Sequence, residues 1–143
     1  MHILLVEDNE GDIVLTTEAL EESKIINTVS IARNGKEALD YLLAHGQFQE
    51  RRESDLPAVI ILDLNMPEMD GFEFLRRVKA VPKLTSIPVV VLTTSQFDRD
   101  LSQSYALGAN SCLTKPGEFE QLVKIASDVN QYWCRRNRIP ENG

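Results

Sequence analysis

The sequence has few cysteines and no long hydrophobic run. Its only cysteines are Cys112 and Cys134, which lack the spacing of a metal-ligand set. Reduced thiols in a cytoplasmic protein are therefore the expectation. No stretch approaches the roughly 18 apolar residues of a membrane span, and residues 1–6 lack the cationic start of a signal peptide. We accordingly expect no membrane association.

Basic residues are also in the minority. The chain has 15 Lys and Arg against 22 Asp and Glu, which gives a net charge of −7. Nucleic-acid binding requires a basic surface, so we expect no nucleic-acid partner. A length of 143 residues suits one globular domain and is short for two. We predict a single domain over 1–143, with its core over about 2–135.

Short aliphatic runs alternate with longer segments of helical character. The predicted strands cover residues 3–6, 27–32, 59–62, 88–92 and 111–114. The predicted helices cover about 10–23, 35–45, 72–81, 98–107 and 118–135, and Gly108 is expected to end the fourth. This alternation predicts an α/β fold with a doubly wound, five-stranded parallel sheet. The polar segment 47–57 is predicted to be an exposed loop or a frayed extension of the second helix.

Acidic residues follow two of the predicted strands. Glu7 and Asp8 come directly after the first strand, and Asp63 comes directly after the third. Because ligands of open α/β sheets bind at the carboxyl ends of the strands, we expect these carboxylates to converge. Adjacent carboxylates repel one another unless a cation lies between them, and Mg²⁺ is the expected ion.

A hydroxyl and an ammonium complete the predicted site. The fourth run ends in Thr93, Thr94 and Ser95, and Lys115 follows the fifth. A carboxylate nucleophile, a cation, a hydroxyl and a lysine together suit a phosphoryl group. The alternative is a phosphatase with an aspartate nucleophile, which usually has a second aspartate two residues later as acid and base. Here that position is Asn65, which disfavours the phosphatase.

The motifs resemble those of a known family, the response regulator receiver domains of two-component signalling. The resemblance extends from Ile3 to about Trp133. Its motifs are Leu5-Val6-Glu7-Asp8, Leu62-Asp63-Leu64-Asn65-Met66-Pro67 with Asp70-Gly71, Leu92-Thr93-Thr94 and Thr114-Lys115-Pro116. The long segment before the third strand and Tyr132-Trp133 resemble stand-alone receivers that partner phytochrome-type histidine kinases. The resemblance implies a flavodoxin-like strand order 2-1-3-4-5 and no output domain.

The resemblance also implies the chemistry. Asp63 would accept a phosphoryl group from a phosphohistidine of a sensor histidine kinase. Thr93 would supply the switch hydroxyl and Thr94 a backbone N–H. Lys115 would pair with Asp63 before phosphorylation and with the phosphoryl group afterwards, and its bond to Pro116 would be cis. The chain would be a phosphoacceptor switch, not a dedicated enzyme, although it takes part in its own phosphotransfer and slow autodephosphorylation.

The implied Mg²⁺ ligands are Asp8, Asp63 and the main-chain carbonyl of Asn65. Glu7 stands where many receivers have aspartate, and its longer side chain would contribute directly or through a water. The side chain of Asn65 would affect the approach of the attacking water. Ser95, two residues after the switch threonine, lies where the family tunes the rate of dephosphorylation.

Cys112 departs from the family pattern. Many receivers have a tyrosine or phenylalanine three residues before the lysine, and that ring changes rotamer as the threonine moves. Cysteine cannot replace the volume of a ring, so the usual aromatic readout is not expected. We interpret Cys112 as a small half-buried strand residue. A redox role is the alternative.

Without an output domain, the signal must pass by association with a downstream protein, a phosphotransfer protein or a second copy. The stripe expected to cover the sheet comprises Phe119, Leu122, Val123, Ala126 and Trp133. The apolar residues expected beside the core are Leu101 and Tyr105 on the fourth helix and Ile125 and Tyr132 on the fifth. They predict a homodimer through these two helices. An interaction module that has lost the chemistry is the competing class, but Asp8, Asp63, Thr93 and Lys115 are all present.

Overall fold

A parallel sheet of five strands organises the protein. In the computed structural model, residues 2–23, 28–52, 54–66 and 69–136 are described. The strands are β1 (His2–Val6), β2 (Thr28–Ala32), β3 (Val59–Leu62), β4 (Val89–Thr93) and β5 (Ser111–Thr114). All pairings are parallel, and the order is β2-β1-β3-β4-β5. The predicted fold and strand order are confirmed.

Helices cover both faces of this sheet. They are α1 (Glu10–Glu22), α2 (Gly35–Leu43), α3 (Gly71–Ala80), α4 (Asp98–Ala106) and α5 (Phe119–Val129). Helix α1 packs against α5, and α3 packs against both α2 and α4. A π-helical segment, Asn130–Arg136, replaces the last turns of the predicted fifth helix. No helix in the described part of the chain is long and apolar enough to span a membrane.

The continuous aliphatic runs arise because β1, β3 and β4 are buried on both faces. One face contributes Leu4, Val6, Ile60, Leu62, Val89 and Val91 to the core that includes buried residues of α2 and α3. The other contributes Ile3, Leu5, Val59, Ile61, Val90 and Leu92 to the core that includes buried residues of α1 and α5. Burial of such side chains typically stabilises a fold by about 1.5–3 kcal/mol each.

Polar N-cap residues stabilise the turns that lead from β1, β2 and β3 into the helices that follow them. The side chains of Asn9, Asn34 and Asp70 each accept the backbone N–H three residues later. At the start of α3 the backbones are in close contact. A Cβ on Gly71 would lie 2.5 Å from the carbonyl oxygen of Asp63. Glycine is therefore required there for α3 to begin beside Asp63.

The segment after α2, predicted to be an exposed loop or a frayed helix extension, contains a short helical turn and a contact back to α2. It begins with a 3₁₀ turn, Gly46–Phe48. The guanidinium of Arg51 lies 3.8 Å from the centroid of the Tyr41 ring and also bonds the Tyr41 carbonyl. The Tyr41 hydroxyl in turn lies 2.6 Å from His2 Nε2. Arg51 is therefore linked through Tyr41 to the amino end of β1, and the acidic residues lie at the opposite end of this strand.

Candidate functional site

Three carboxylates meet at the carboxyl end of the sheet. Because β1 pairs with β3 and Val6 is opposite Leu62, the residues that follow these strands are neighbours. Oxygens of Glu7, Asp8 and Asp63 lie within 4.8 Å of one another. Glu7 and Asp63 are buried, and Asp8 is exposed. The structure thus brings together the three acids that the sequence placed at strand ends.

The acidic cluster is short of positive charge. Burial and the neighbouring Glu7 carboxylate together raise the pKa of Asp63 to about 7, although Lys115 acts to lower it. A divalent cation among the three carboxylates would favour their charged forms. Clustered carboxylate oxygens are the ligands that Mg²⁺ and related hard cations prefer, so these residues fit such an ion.

Lys115 is shared among three acids. Its Nζ lies 2.5 Å from Glu7 Oε1, 2.9 Å from Asp12 Oδ2 and 3.7 Å from Asp63 Oδ1. Burial acts to lower the pKa of Lys115, but its hydrogen bonds to Glu7 and Asp12 outweigh burial, so the pKa is raised. The ammonium is therefore charged at neutral pH and lies beside the expected nucleophile.

Two features of the lysine differ from the expectation. Asp63 is its most distant acidic partner of the three, and Asp12 was not predicted as a site residue. Its position in the first turn of α1, three residues after the Asn9 cap, was the available signal.

The bond between Lys115 and Pro116 is trans, since no described peptide bond is cis, so the predicted cis bond is wrong. The backbone N–H of Lys115 donates to the carbonyl of Thr93 at 2.8 Å, which extends the pairing of β5 with β4. The lysine side chain thus reaches the acids although the bond to Pro116 is trans.

Glu7 has a different partner for each of its two oxygens. Its Oε2 accepts the backbone N–H groups of Asp8 at 3.1 Å and Asn9 at 3.3 Å. Its Oε1 accepts from Lys115. The longer side chain therefore folds back onto the chain that follows β1. A cation that binds Glu7 through Oε1 would share that oxygen with the lysine.

Thr93 is connected to α4. Its buried Oγ1 accepts the Ser95 N–H at 3.2 Å, and Ser95 Oγ donates to Asp100 Oδ2 at 2.5 Å. Asp100 lies in the first turn of α4. If the Thr93 hydroxyl moved, it would lose its hydrogen bond with Ser95, the residue that connects it to α4. The neighbouring Thr94 is exposed.

Cys112 is half-buried on β5. Burial raises the pKa of its thiol, which disfavours a reactive thiolate and fits the interpretation as a small packing residue. Its backbone N–H donates to the hydroxyl of Tyr105 at 3.1 Å. An aromatic side chain from α4 therefore contacts the strand position where many receivers have their own ring.

The remaining predicted positions are only partly as expected. Leu101, Tyr105 and Tyr132 are 43%, 49% and 53% exposed. Ile125, in contrast, is half-buried and packs against the core between the sheet and α5, so it lies at the border of the core stripe, and its role in an interface stays a prediction. Phe119, expected in the core stripe, is the first residue of α5 and is 36% exposed. Asn65 is exposed, and Pro67 of the second motif lies outside the described residues.

Residues 3–127 match the response regulator receiver domain family, and the chain belongs to this family. It is 42% identical to the probable methanogenesis regulatory protein FilR2 of Methanothrix harundinacea (strain 6Ac), over 96% of this chain and 86% of that protein. It is 39% identical to the response regulator Rcp1 of Synechocystis sp. (strain ATCC 27184 / PCC 6803 / Kazusa), over 96% of this chain and 92% of Rcp1. The resemblance to phytochrome-associated receivers is thereby confirmed.

Solved structures agree with this assignment. The phosphorylated cyanobacterial phytochrome response regulator RcpA superposes with a TM-score of 0.88 at 40% identity, covering 97% of each chain. The Mn²⁺-bound form of Rcp1 superposes with a TM-score of 0.85 at 38% identity, covering 97% of this chain and 98% of Rcp1. A relative of this fold thus binds a divalent cation, and another has been observed phosphorylated.

Proposed function

We propose that this receiver is a phosphoacceptor switch in which Asp63 accepts a phosphoryl group from a sensor histidine kinase. The observation that supports this most directly is the convergence of Asp63 with two further carboxylates and the Lys115 ammonium at one edge of the sheet. The same arrangement disfavours the phosphatase alternative, because Asn65 is neither an acid nor a base. The family is a signalling switch, and no dedicated enzymatic activity is proposed.

The chemistry follows from the positions of these groups. An oxygen of Asp63 attacks phosphorus and forms an acyl phosphate, while the bond to the donor nitrogen breaks and its electron pair stays with the imidazole. A carboxylate is an adequate nucleophile because the transition state is loose and requires little bond formation. Lys115 offsets the charge that develops on the transferred oxygens. A bound divalent cation supplies further neutralisation of that charge.

We propose Mg²⁺ as the cation. Asp8, Asp63 and the main-chain carbonyl of Asn65 would be its protein ligands, and Glu7 would contribute directly or through a water. Oxygen ligands of this kind do not distinguish strongly between Mg²⁺ and Mn²⁺, so the Mn²⁺-bound form of Rcp1 is compatible with this proposal. The side chains of Asn65 and Ser95 would tune the later hydrolysis.

The switch would operate through Thr93. Its hydroxyl now accepts a hydrogen bond from Ser95, and after phosphorylation it would donate one to the phosphoryl group. The backbone N–H of Thr94 would provide a second donor. A hydroxyl that gains a partner only in the phosphorylated state supplies the difference in binding that a conformational switch requires. Release of Ser95 would loosen its bond to Asp100 and hence the start of α4.

Intact-mass spectrometry tests the central proposal. The protein is incubated with Mg²⁺ and a small acyl phosphate donor, and its mass should rise by one phosphoryl group. Omission of Mg²⁺ should prevent the rise within the same time, because the acidic cluster would then repel the anionic donor. An unchanged mass under both conditions would contradict the assignment.

The partners belong to the same proposal. Because the phytochrome response regulator RcpA and Rcp1 are close relatives in sequence and fold, we propose a phytochrome-type histidine kinase as the donor. A downstream protein or a phosphotransfer protein would receive the signal. The cytoplasmic location and the single-domain organisation over 1–143 remain predictions. Comparison of phosphoryl transfer from the kinases of one genome at short times would identify the cognate donor.

Homodimerisation through α4 and α5 is also part of the proposal. Replacing the exposed Leu101 and Tyr132 together by aspartate should shift the mass measured by light scattering from dimer to monomer, because burial of unpaired carboxylates is costly. Ile125 is unsuitable for substitution because it is half-buried and packs against the core, so a charge there would also disturb the fold. Val14→Asp, at a similarly exposed apolar position on α1, is the matched control and should leave the mass unchanged. Monomeric wild-type protein at high micromolar concentration, with and without phosphorylation, would contradict the dimer.

A further inference from the structure

Lys115 and a cation at the acidic cluster would compete for the same carboxylate. Glu7 belongs to the three acids that could hold the ion, but its Oε1 lies 2.5 Å from the lysine ammonium. Its Oε2 is engaged by the backbone N–H groups of Asp8 and Asn9. Both oxygens of Glu7 are therefore engaged, and a cation that binds through Oε1 would meet the lysine there. An ammonium at that oxygen would repel an arriving divalent ion.

Asp12 offers the lysine a second partner outside the acidic cluster. Its Oδ2 lies 2.9 Å from the ammonium, and its side chain is 38% exposed at the mouth of the site. The side chain of Asn9 accepts the backbone N–H of Asp12 at 2.9 Å, which fixes this turn of α1 relative to β1. The ammonium can therefore leave Glu7 and still keep a charged hydrogen-bond partner.

We propose that Asp12 is a positioning residue, which retains the Lys115 ammonium when a divalent cation binds beside Glu7 and so increases the affinity of the site for that cation. The inference rests on the cation site proposed above. Asp12 would also keep the lysine close to Asp63, now 3.7 Å away, where the transferred phosphoryl group requires it.

A simpler effect would give a similar first result. Any negative charge close to the site attracts a cation, whether or not it contacts the lysine. The two explanations differ in their dependence on Lys115. An effect exerted through the lysine disappears when the lysine is removed, whereas the effect of the charge alone persists. A double-mutant cycle on these two residues therefore separates them.

The experiment is a calorimetric Mg²⁺ titration of the full chain. Asp12→Ala should weaken Mg²⁺ binding about two- to fivefold, the range expected for loss of a partly exposed ion pair. Lys115→Ala should bind Mg²⁺ more tightly than wild type, because a competing cation is gone. The double variant Asp12→Ala/Lys115→Ala should bind Mg²⁺ as tightly as Lys115→Ala alone. Asp12→Asn, which keeps the shape but not the charge, should give an intermediate affinity.

Glu10→Ala is the matched control. It removes one negative charge from the same turn of α1, but Glu10 pairs with Arg33 rather than with Lys115. The Mg²⁺ affinity of Glu10→Ala should differ less from the wild-type affinity than the affinity of Asp12→Ala does. Thermal unfolding of each variant verifies that it is folded before titration.

The outcomes distinguish this inference from the proposed function. Equal weakening by Asp12→Ala with and without Lys115 would show an effect of charge alone and overturn the inference. Unchanged affinity in Asp12→Ala would also overturn it. In both cases wild-type protein still binds Mg²⁺, and the proposed function stands. Failure of wild-type protein to bind Mg²⁺ would overturn the cation site and this inference together.

Discussion

Asp63→Asn should abolish phosphorylation and stabilise the cation-free protein at neutral and alkaline pH. The amide is not a useful nucleophile towards phosphorus, so the mass should stay unchanged under conditions that add one phosphoryl group to wild type. The stabilisation has a separate cause. In wild type, a largely buried carboxyl must ionise beside Glu7, whereas asparagine has the same shape and no charge.

The direction of the pH dependence follows from the raised pKa of Asp63. Its pKa rises from 3.8 to about 7 on folding, so between these values the folded protein binds a proton that the unfolded chain has lost. This group therefore reduces the free energy of unfolding as pH rises through that window, and the loss is complete above about pH 7. The shift corresponds to at most about 4 kcal/mol. Because water reaches the mouth of the site, we expect an effect on the order of 2 kcal/mol.

Urea unfolding at pH 5 and pH 8 without divalent cations measures this difference. The stability advantage of Asp63→Asn over wild type should be larger at pH 8. Asp128→Asn, an exposed position on α5, is the control for loss of one charge and should be phosphorylated like wild type. Phosphorylation of Asp63→Asn to the wild-type extent would refute Asp63 as the acceptor. An advantage independent of pH would refute its raised pKa.

Much of the fold could be predicted because its determinants are local in sequence. Strands buried on both faces require uninterrupted aliphatic residues, as in the runs that end at Val6 and Leu62. Because parallel strands share one carboxyl end, the residues after these runs had to meet. The convergence of Glu7, Asp8 and Asp63 was thus predictable from topology alone. The strand order came from the family resemblance, since periodicity does not encode it.

The remaining features depend on side-chain directions that the sequence does not specify. Asp12 joins the site because the first turn of α1 aims its carboxylate at Lys115, which lies 103 positions later in the chain. The rotation of α5 about its axis decides how far Ile125 packs against the core. A quarter-turn estimate from an ideal helix is too coarse to place a residue at the border of the apolar stripe. The attachment of Arg51 to Tyr41 likewise requires the folded chain.

Mg²⁺ should stabilise the wild-type fold, and this response should be lost in Asp8→Ala. At ten times its dissociation constant, one bound ion contributes about 1.4 kcal/mol to the free energy of unfolding. For a chain of this size the melting temperature should rise by roughly 3–8 °C. Asp8 is the exposed member of the acidic cluster, so its removal takes away a cation ligand without leaving a cavity in the core.

Thermal unfolding followed by circular dichroism, with and without Mg²⁺, measures both parts of this prediction. Without Mg²⁺, Asp8→Ala should melt at or above the temperature of wild type, because a carboxylate that repels Glu7 and Asp63 is gone. With Mg²⁺, only wild type and the control Asp128→Ala should gain stability, since Asp128 lies on α5. An equal gain in Asp8→Ala would exclude Asp8 as a ligand. If Asp8→Ala loses the Mg²⁺-dependent stabilisation and Asp128→Ala keeps it, the ion stabilises the protein by binding at the acidic cluster and not by screening the overall negative charge.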